Sequence, residues 1–140
     1  MNEAWPSLPL DAWSDTLSTL HLWTQIVGKV RLTQTPWTNH SWHVTLYVTP
    51  RGLTTSPIPH GTRSFAVDFD FVAHELSVRA SDGATGGFAL EPQTVASFYG
   101  RVRKELDALG LPVRIHPRPN EIPDPIPFAR DEVHRSYDRE

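Results

Sequence analysis

The amino-acid sequence predicts an α+β fold: an antiparallel sheet of about five to six strands, two main helices packed on one face, and a proline-rich strap at the C-terminal end. Three observations lead there. Apolar residues recur at helical spacing from Asp11 to Val27 and again from Pro92 to Leu109. Apolar and polar residues alternate from Trp42 to Thr49 and from Phe65 to Ala80. Along the chain the order is helix, several strands, helix, strand, which gives a sheet with helices covering one face and leaves the other face polar.

The first helix is expected to follow Pro6 and Pro9, with Asp11 as its N-cap and Gly28 just past its end. Trp13, Leu17, Leu20, Thr24 and Val27 share one face. Leu22 and Ile26 fall roughly opposite that face at about 100° per residue, and Trp23 lies to one side. Such a helix is packed on two sides, by a partner or by the chain's own proline-rich end. Lys29 to Leu32 alternates like a short strand, and Pro36 to His40 reads as a loop. Trp42, Val44, Leu46 and Val48 form the next strand, Pro50-Arg51-Gly52 turns it, and Leu53 to Thr55 returns.

The clearest hairpin joins Phe65–Phe71 to Glu75–Ala80. A two-residue loop at Ala73-His74 would set Phe71 opposite Leu76, Phe69 opposite Val78 and Asp68 opposite Arg79. Phe88 to Leu90 is a further short strand. The second helix is expected from Pro92, with Leu90 and Val95 at staple spacing. Val95, Phe98, Tyr99, Val102, Leu106 and Leu109 form its apolar stripe, and Gly110 ends it. Val113 and Ile115 suggest a last strand. Residues 1–116 then form one α+β domain, and 117–140 an extended strap with a charged, frayed tail.

A chain of 140 residues fits one domain and buries roughly 68% of its unfolded surface, enough for its own core. The net charge of −3 argues against nucleic acid or an anionic membrane as a partner. The chain contains no cysteine, so it has no disulfide, thiolate metal site or cysteine nucleophile. It shows no secretory signal and no apolar run near ~18 residues, so a cytoplasmic location is the expectation. The 13 prolines frame the helices and the chain end, and the 5 tryptophans read as packing surface.

Several strings resemble a family. They include Trp5-Pro6-x-Leu8-Pro9, the run from Thr19 to Leu32, the run from Asn39 to Thr49, and Arg51 to Pro59. Phe69-Asp70-Phe71, Pro125 to Phe128, and His134-x-Ser136-Tyr137-Asp138 complete them. Together they resemble an uncharacterised bacterial domain-of-unknown-function family (DUF5996-like), to which no activity is assigned. Members look roughly twice as long, so the resemblance implies that this is an N-terminal portion, docking on a missing C-terminal half or on a copy of itself.

The polar residues offer three chemistries. His21 and Gln25 stand one turn apart on the first helix, and Lys29 and Arg31 follow on one side of an extended segment. With Asn39, His40 and His43 they form the candidate site, suited to a small anionic ligand or to a hydrolase-like reaction. The competing reading is a satisfied histidine with solvated cations near a helix C-terminus. His40 and His43 lack the spacing that one helical face needs, so neither a metal nor a cofactor is expected. Asp68 and Asp70 share a strand face and could do acid–base work, but pairing of Asp68 with Arg79 is the stronger reading. There is no Gly-x-Ser-x-Gly elbow and no phosphate-binding glycine loop. The residues leave open whether the protein is an enzyme.

Overall fold

The computed structural model describes residues 5–140. Its elements are helix α1 (Leu10–Gln34), a 3-10 segment (Asn39–Val44), strands β1 (Tyr47–Thr49), β2 (Gly52–Thr54), β3 (Ile58–His60), β4 (Arg63–Asp70), β5 (Glu75–Ala80) and β6 (Thr85–Ala89), helix α2 (Val95–Ala108), and a 3-10 turn (Phe128–Arg130). The six strands make one antiparallel sheet in the order β1-β2-β4-β5-β6, with β3 also paired to β4. The α+β architecture is as the sequence predicts.

α1 is longer than expected. Asp11 lies inside its first turn, and Pro9 rather than Asp11 takes the N-cap position. Gly28 does not end the helix but lies buried within it, and Lys29 to Leu32 are helical rather than a strand. A Cβ at Gly28 would stand 3.3 Å from Val44 Cγ2, so the glycine lets the 3-10 segment lie close across the helix. The helix stops at Gln34 because Thr35 precedes Pro36, whose ring disfavours helical backbone in the residue before it; Thr35 is extended, with φ −101° and ψ 150°.

The buried face of α1 is also rotated from the predicted one. Thr16, Thr19, Trp23, Ile26, Val27 and Val30 are buried at helical spacing, while Leu17 is exposed. Two threonines disguise this face in the sequence. Both are satisfied: Thr19 Oγ1 donates to the Asp15 carbonyl, and Thr16 Oγ1 accepts from the Asp138 N–H at 3.0 Å. Leu22, Trp23 and Ile26, which suggested a partner surface, are at most 3% exposed in this single chain.

The strand expected from Trp42 shrinks to Tyr47–Thr49. Before it, His40 and Ser41 take left-handed backbone at φ 54° and 59°, and the chain coils instead of extending. β2 and β3 both pair with β4 and act as one interrupted strand. Thr55 spans the interruption: its N–H donates to the Val67 carbonyl, and its Oγ1 accepts from the Val67 N–H, both at 3.0 Å.

The β4–β5 hairpin keeps the predicted faces but slips by two residues. Phe69 pairs with Leu76, Val67 with Val78 and Asp68 with Ser77, around a turn at Phe71–His74. The cause is Asp70, whose Oδ1 accepts from the N–H groups of Val72 (2.9 Å) and Ala73 (2.8 Å), a side-chain-closed turn that needs four residues. A shift of two leaves every side chain on its original face. Arg79 therefore still reaches Asp68, now diagonally.

α2 starts at Val95, not Pro92, because Thr94 caps it by accepting from the Ser97 N–H at 3.0 Å. The Leu90–Val95 staple does not form, since a staple on that pair needs the cap at Glu91, and with Thr94 as the cap the staple positions are Gln93 and Phe98. Of the predicted stripe Val95, Phe98, Val102 and Leu106 are buried and Tyr99 and Leu109 half-buried, and Gly110, at φ 68°, ends the helix. Val113 and Ile115 join no strand. The chain end is tied down rather than frayed: Phe128, Asp131 and Tyr137 are buried, and the carbonyls of Asp131 and His134 accept from the N–H groups of Ala96 and Val95 at the start of α2.

One column of rings joins these parts. Tyr137 stacks on Trp23 (centroids 5.6 Å apart), Trp23 on Phe98 (4.7 Å, planes 4° apart), and Phe98 on Phe69 (6.1 Å). Trp23→Ala is expected to cost about 3–5 kcal/mol in a urea-unfolding measurement. Trp23→Phe, which keeps a ring in the column, should cost less. The Asp70 turn gives a second expectation. The Arg51 guanidinium, 2.7 Å from Asp70, and the Ala73 N–H hold its carboxyl down at about 2. Because the folded value lies below the ordinary 3.8, the stabilisation is present above that value and is lost as the pH falls toward 2. In a carboxyl NMR titration Arg51→Ala should move Asp70 back up.

Candidate functional site

Two cavities take in polar residues singled out from the sequence. One, on the polar face of the sheet, is lined by Asp68, Asp70, Arg51 and Arg79. Both carboxylates there are neutralised by those arginines, which favours the ion-pair reading of this strand face.

The second is an open cleft of about 650 Å³ between α1, the 3-10 segment and the proline-rich segment. His21, Gln25, Gly28, Lys29 and Leu32 enter it from α1 as one stripe at i, i+4 and i+8 spacing. His40 and Ser41 face it from the 3-10 segment, and Asn120 and Glu121 close the far side. The structure therefore brings His21, Gln25, Lys29 and His40 together.

Arg31, Asn39 and His43 do not line this cleft. Arg31 follows Lys29 by two positions on a helix, so it points to the other side. There it donates to the carbonyls of His43 and Thr55 and to Ser56 Oγ (2.6 Å), and lies 5.8 Å from the Tyr47 ring centroid. It clasps the 3-10 segment and the β2–β3 junction onto α1. His43 is buried, and its Nδ1 accepts from the Thr38 N–H at 3.0 Å. Asn39 is exposed at the start of the 3-10 segment.

Gln25 is largely committed to structure. Its Oε1 accepts from the Asn120 N–H (2.8 Å), its Nε2 donates to the Asn120 carbonyl (2.9 Å), and the same nitrogen lies 3.3 Å from His21 Nε2. It pins the proline-rich segment against α1 and so builds the cleft's far side.

Lys29 is the unusual group. Only 6% of the residue is exposed, and burial pushes its pKa down from the ordinary 10.5. Its Nζ donates to Asn120 Oδ1 at 3.0 Å. Among the described residues no carboxylate lies within 4.0 Å of it. An ammonium carries three donors, so two of Lys29's are unmatched by the described protein groups.

Sequence reasoning missed Asn120, because a proline-rich stretch carries no periodicity that would place it against α1. It also missed Asp131 and His134, which stand 2.7 Å apart at a third, smaller cavity. Their i, i+3 spacing in a non-helical segment was the one available signal. No group of three or more His, Asp or Glu among the described residues could hold a metal ion. No described helix is long and apolar enough to cross a membrane.

No curated protein and no solved structure matches the chain. The model of one family, described as a family of unknown function (DUF5996), matches residues 5–140, and the chain belongs to that family.

Proposed function

We propose that the cleft on α1 binds a small organic or inorganic anion, a carboxylate or a phosphate, with Lys29 as its charge partner. The observation that carries this reading is the burial of Lys29 without a carboxylate. A buried charge with no counter-ion is costly, and a chain that keeps one in a cleft gains from a ligand that supplies the opposite charge. The cleft's volume suits a small molecule. His21 and His40 on its rim add donors when protonated. Asn120 holds the ammonium in place, and Gln25 holds Asn120. Glu121, on the same rim, favours a ligand of low charge over a polyanion.

A second reading is docking on another domain or another copy. It is favoured by the exposure of Trp37 (71%), Trp42 (65%) and Val48 (85%) around the 3-10 segment and β1. Trp23 and its neighbours on α1 no longer support it, since this chain covers them. Light scattering on a size-exclusion column tests the second reading in its self-docking form: a concentration-independent monomer removes docking on another copy.

Lys29→Met gives the test of the first. The folded pKa of Lys29 lies below its unfolded value, so its charge costs stability at neutral pH, and this cost disappears as the pH rises past 10.5. The variant should melt no lower than the parent in the absence of anion. Saturating the parent with phosphate to 100 times its dissociation constant should add about 2.7 kcal/mol of stability, and the variant should show no such gain. Equal phosphate responses in both proteins would sink the reading.

A further inference from the structure

His21 also borders the smaller cavity, of about 250 Å³, whose other polar lining comes from Ser18, Asp124, Asp131 and His134. Asp131 is 1% exposed. Its Oδ1 accepts from the N–H groups of Val133 and His134, both at 3.0 Å, and its Oδ2 lies 2.7 Å from His134 Nδ1. Among the described residues no lysine or arginine reaches this carboxylate. Among those residues its one ionic partner is the imidazole. The arrangement sets the proton of a neutral His134 on Nδ1, donated to Asp131, and leaves the lone pair on Nε2. No described protein group hydrogen-bonds to Nε2, and the side chain of His134 is 34% exposed at the cavity wall.

A buried carboxylate that fixes the tautomer of a half-open imidazole is the base-and-orienter half of a hydrolytic site. Ser18 does not supply the nucleophile, because its hydroxyl donates to the Ser14 carbonyl at 3.0 Å. We infer that His134, positioned by Asp131, is a general base that activates water in this cavity to cleave a small carboxylic ester. One water O–H bond breaks and its proton passes to His134 Nε2. The water oxygen bonds to the acyl carbon, the bond from that carbon to the alcohol oxygen breaks, and the proton returns from Nε2 to the departing oxygen. Ester and water give acid and alcohol with no change of oxidation state. Asp131 holds the imidazolium between the two transfers. The step does not depend on an anion in the Lys29 cleft, so either assignment can fail alone.

The test is hydrolysis of p-nitrophenyl acetate by the full chain across a pH series. The other titratable side chains lining the cavity are His21 of α1 and Asp124. The rate should climb to a plateau as one group loses its proton. His134→Gln should lower it at least ~100-fold. Asp131→Asn, checked for folding by circular dichroism, should lower the rate and displace the pH profile, because an amide can present the wrong tautomer. His116→Gln, at an exposed imidazole that does not line the cavity, should change nothing. The imidazole 15N shifts of His134 give a reading that needs no variant, and the Nδ1–H tautomer is expected. A His134→Gln protein as active as its parent, a parent no faster than free imidazole, or an Nε2–H tautomer overturns the assignment.

Discussion

Trp23 sits between Phe98 of α2 and Tyr137 of the chain end, and everything on α1 is placed by that contact. A helix can rotate about its axis until one bulky residue is locked. Here a fully buried indole stacks on two other rings, so the rotation of α1 is fixed. Once Trp23, Ile26 and Val30 face inward, His21, Gln25 and Lys29 must lie on the neighbouring stripe, and Arg31 must point away from it. The same contact draws the C-terminal segment over the start of α2, which brings Asp131 and His134 to their cavity. The clamp has a cost, since the Trp23 indole N–H is buried with no acceptor, a defect worth roughly 1–3 kcal/mol. Stacking and burial outweigh it.

Against that rigid frame Lys29 is a charge held where the fold gains nothing from it. The two polar clusters of the C-terminal segment differ in this respect. Asp131 is buried too, but two backbone N–H groups and an imidazole surround it. Lys29 has one neutral acceptor. Residues that lower stability where they stand are expected at sites kept for a ligand. A bound anion would turn the cost into a gain by stabilising the charged form.

Much of this was legible from residue order, and the failures have definite causes. The stripe of α2 could be read because its apolar residues are uninterrupted and its polar ones face water. α1 was misread because Thr16 and Thr19 occupy its inner face, with hydroxyls satisfied by local backbone and by Asp138. Gly28 looked like a helix end because a glycine's need for close packing leaves the same mark as its need for left-handed backbone; only Val44, sixteen positions on, tells them apart. In the β4–β5 hairpin the alternation fixed the faces but not the register, which Asp70 sets through its turn. His21 and Gln25 are legible as a pair from their spacing, and Lys29 belongs with them although its alternation reads as a strand. The grouping survives because a continuous helix puts Lys29 one turn beyond Gln25. Arg31 follows Lys29 on one side of an extended segment but not on a helix, and Asn39 and His43 lie on the 3-10 segment, of which His40, Ser41 and Val44 line the cleft.

The central claim is that Lys29 is kept buried for an anion. The most direct measurement is an NMR titration of the Lys29 side chain, followed at its ε-carbon with and without phosphate. The account predicts a midpoint below 10.5 in the free protein, because burial disfavours the ammonium, and a clear rise when phosphate is present. A midpoint at the ordinary lysine value that phosphate leaves unmoved would contradict it.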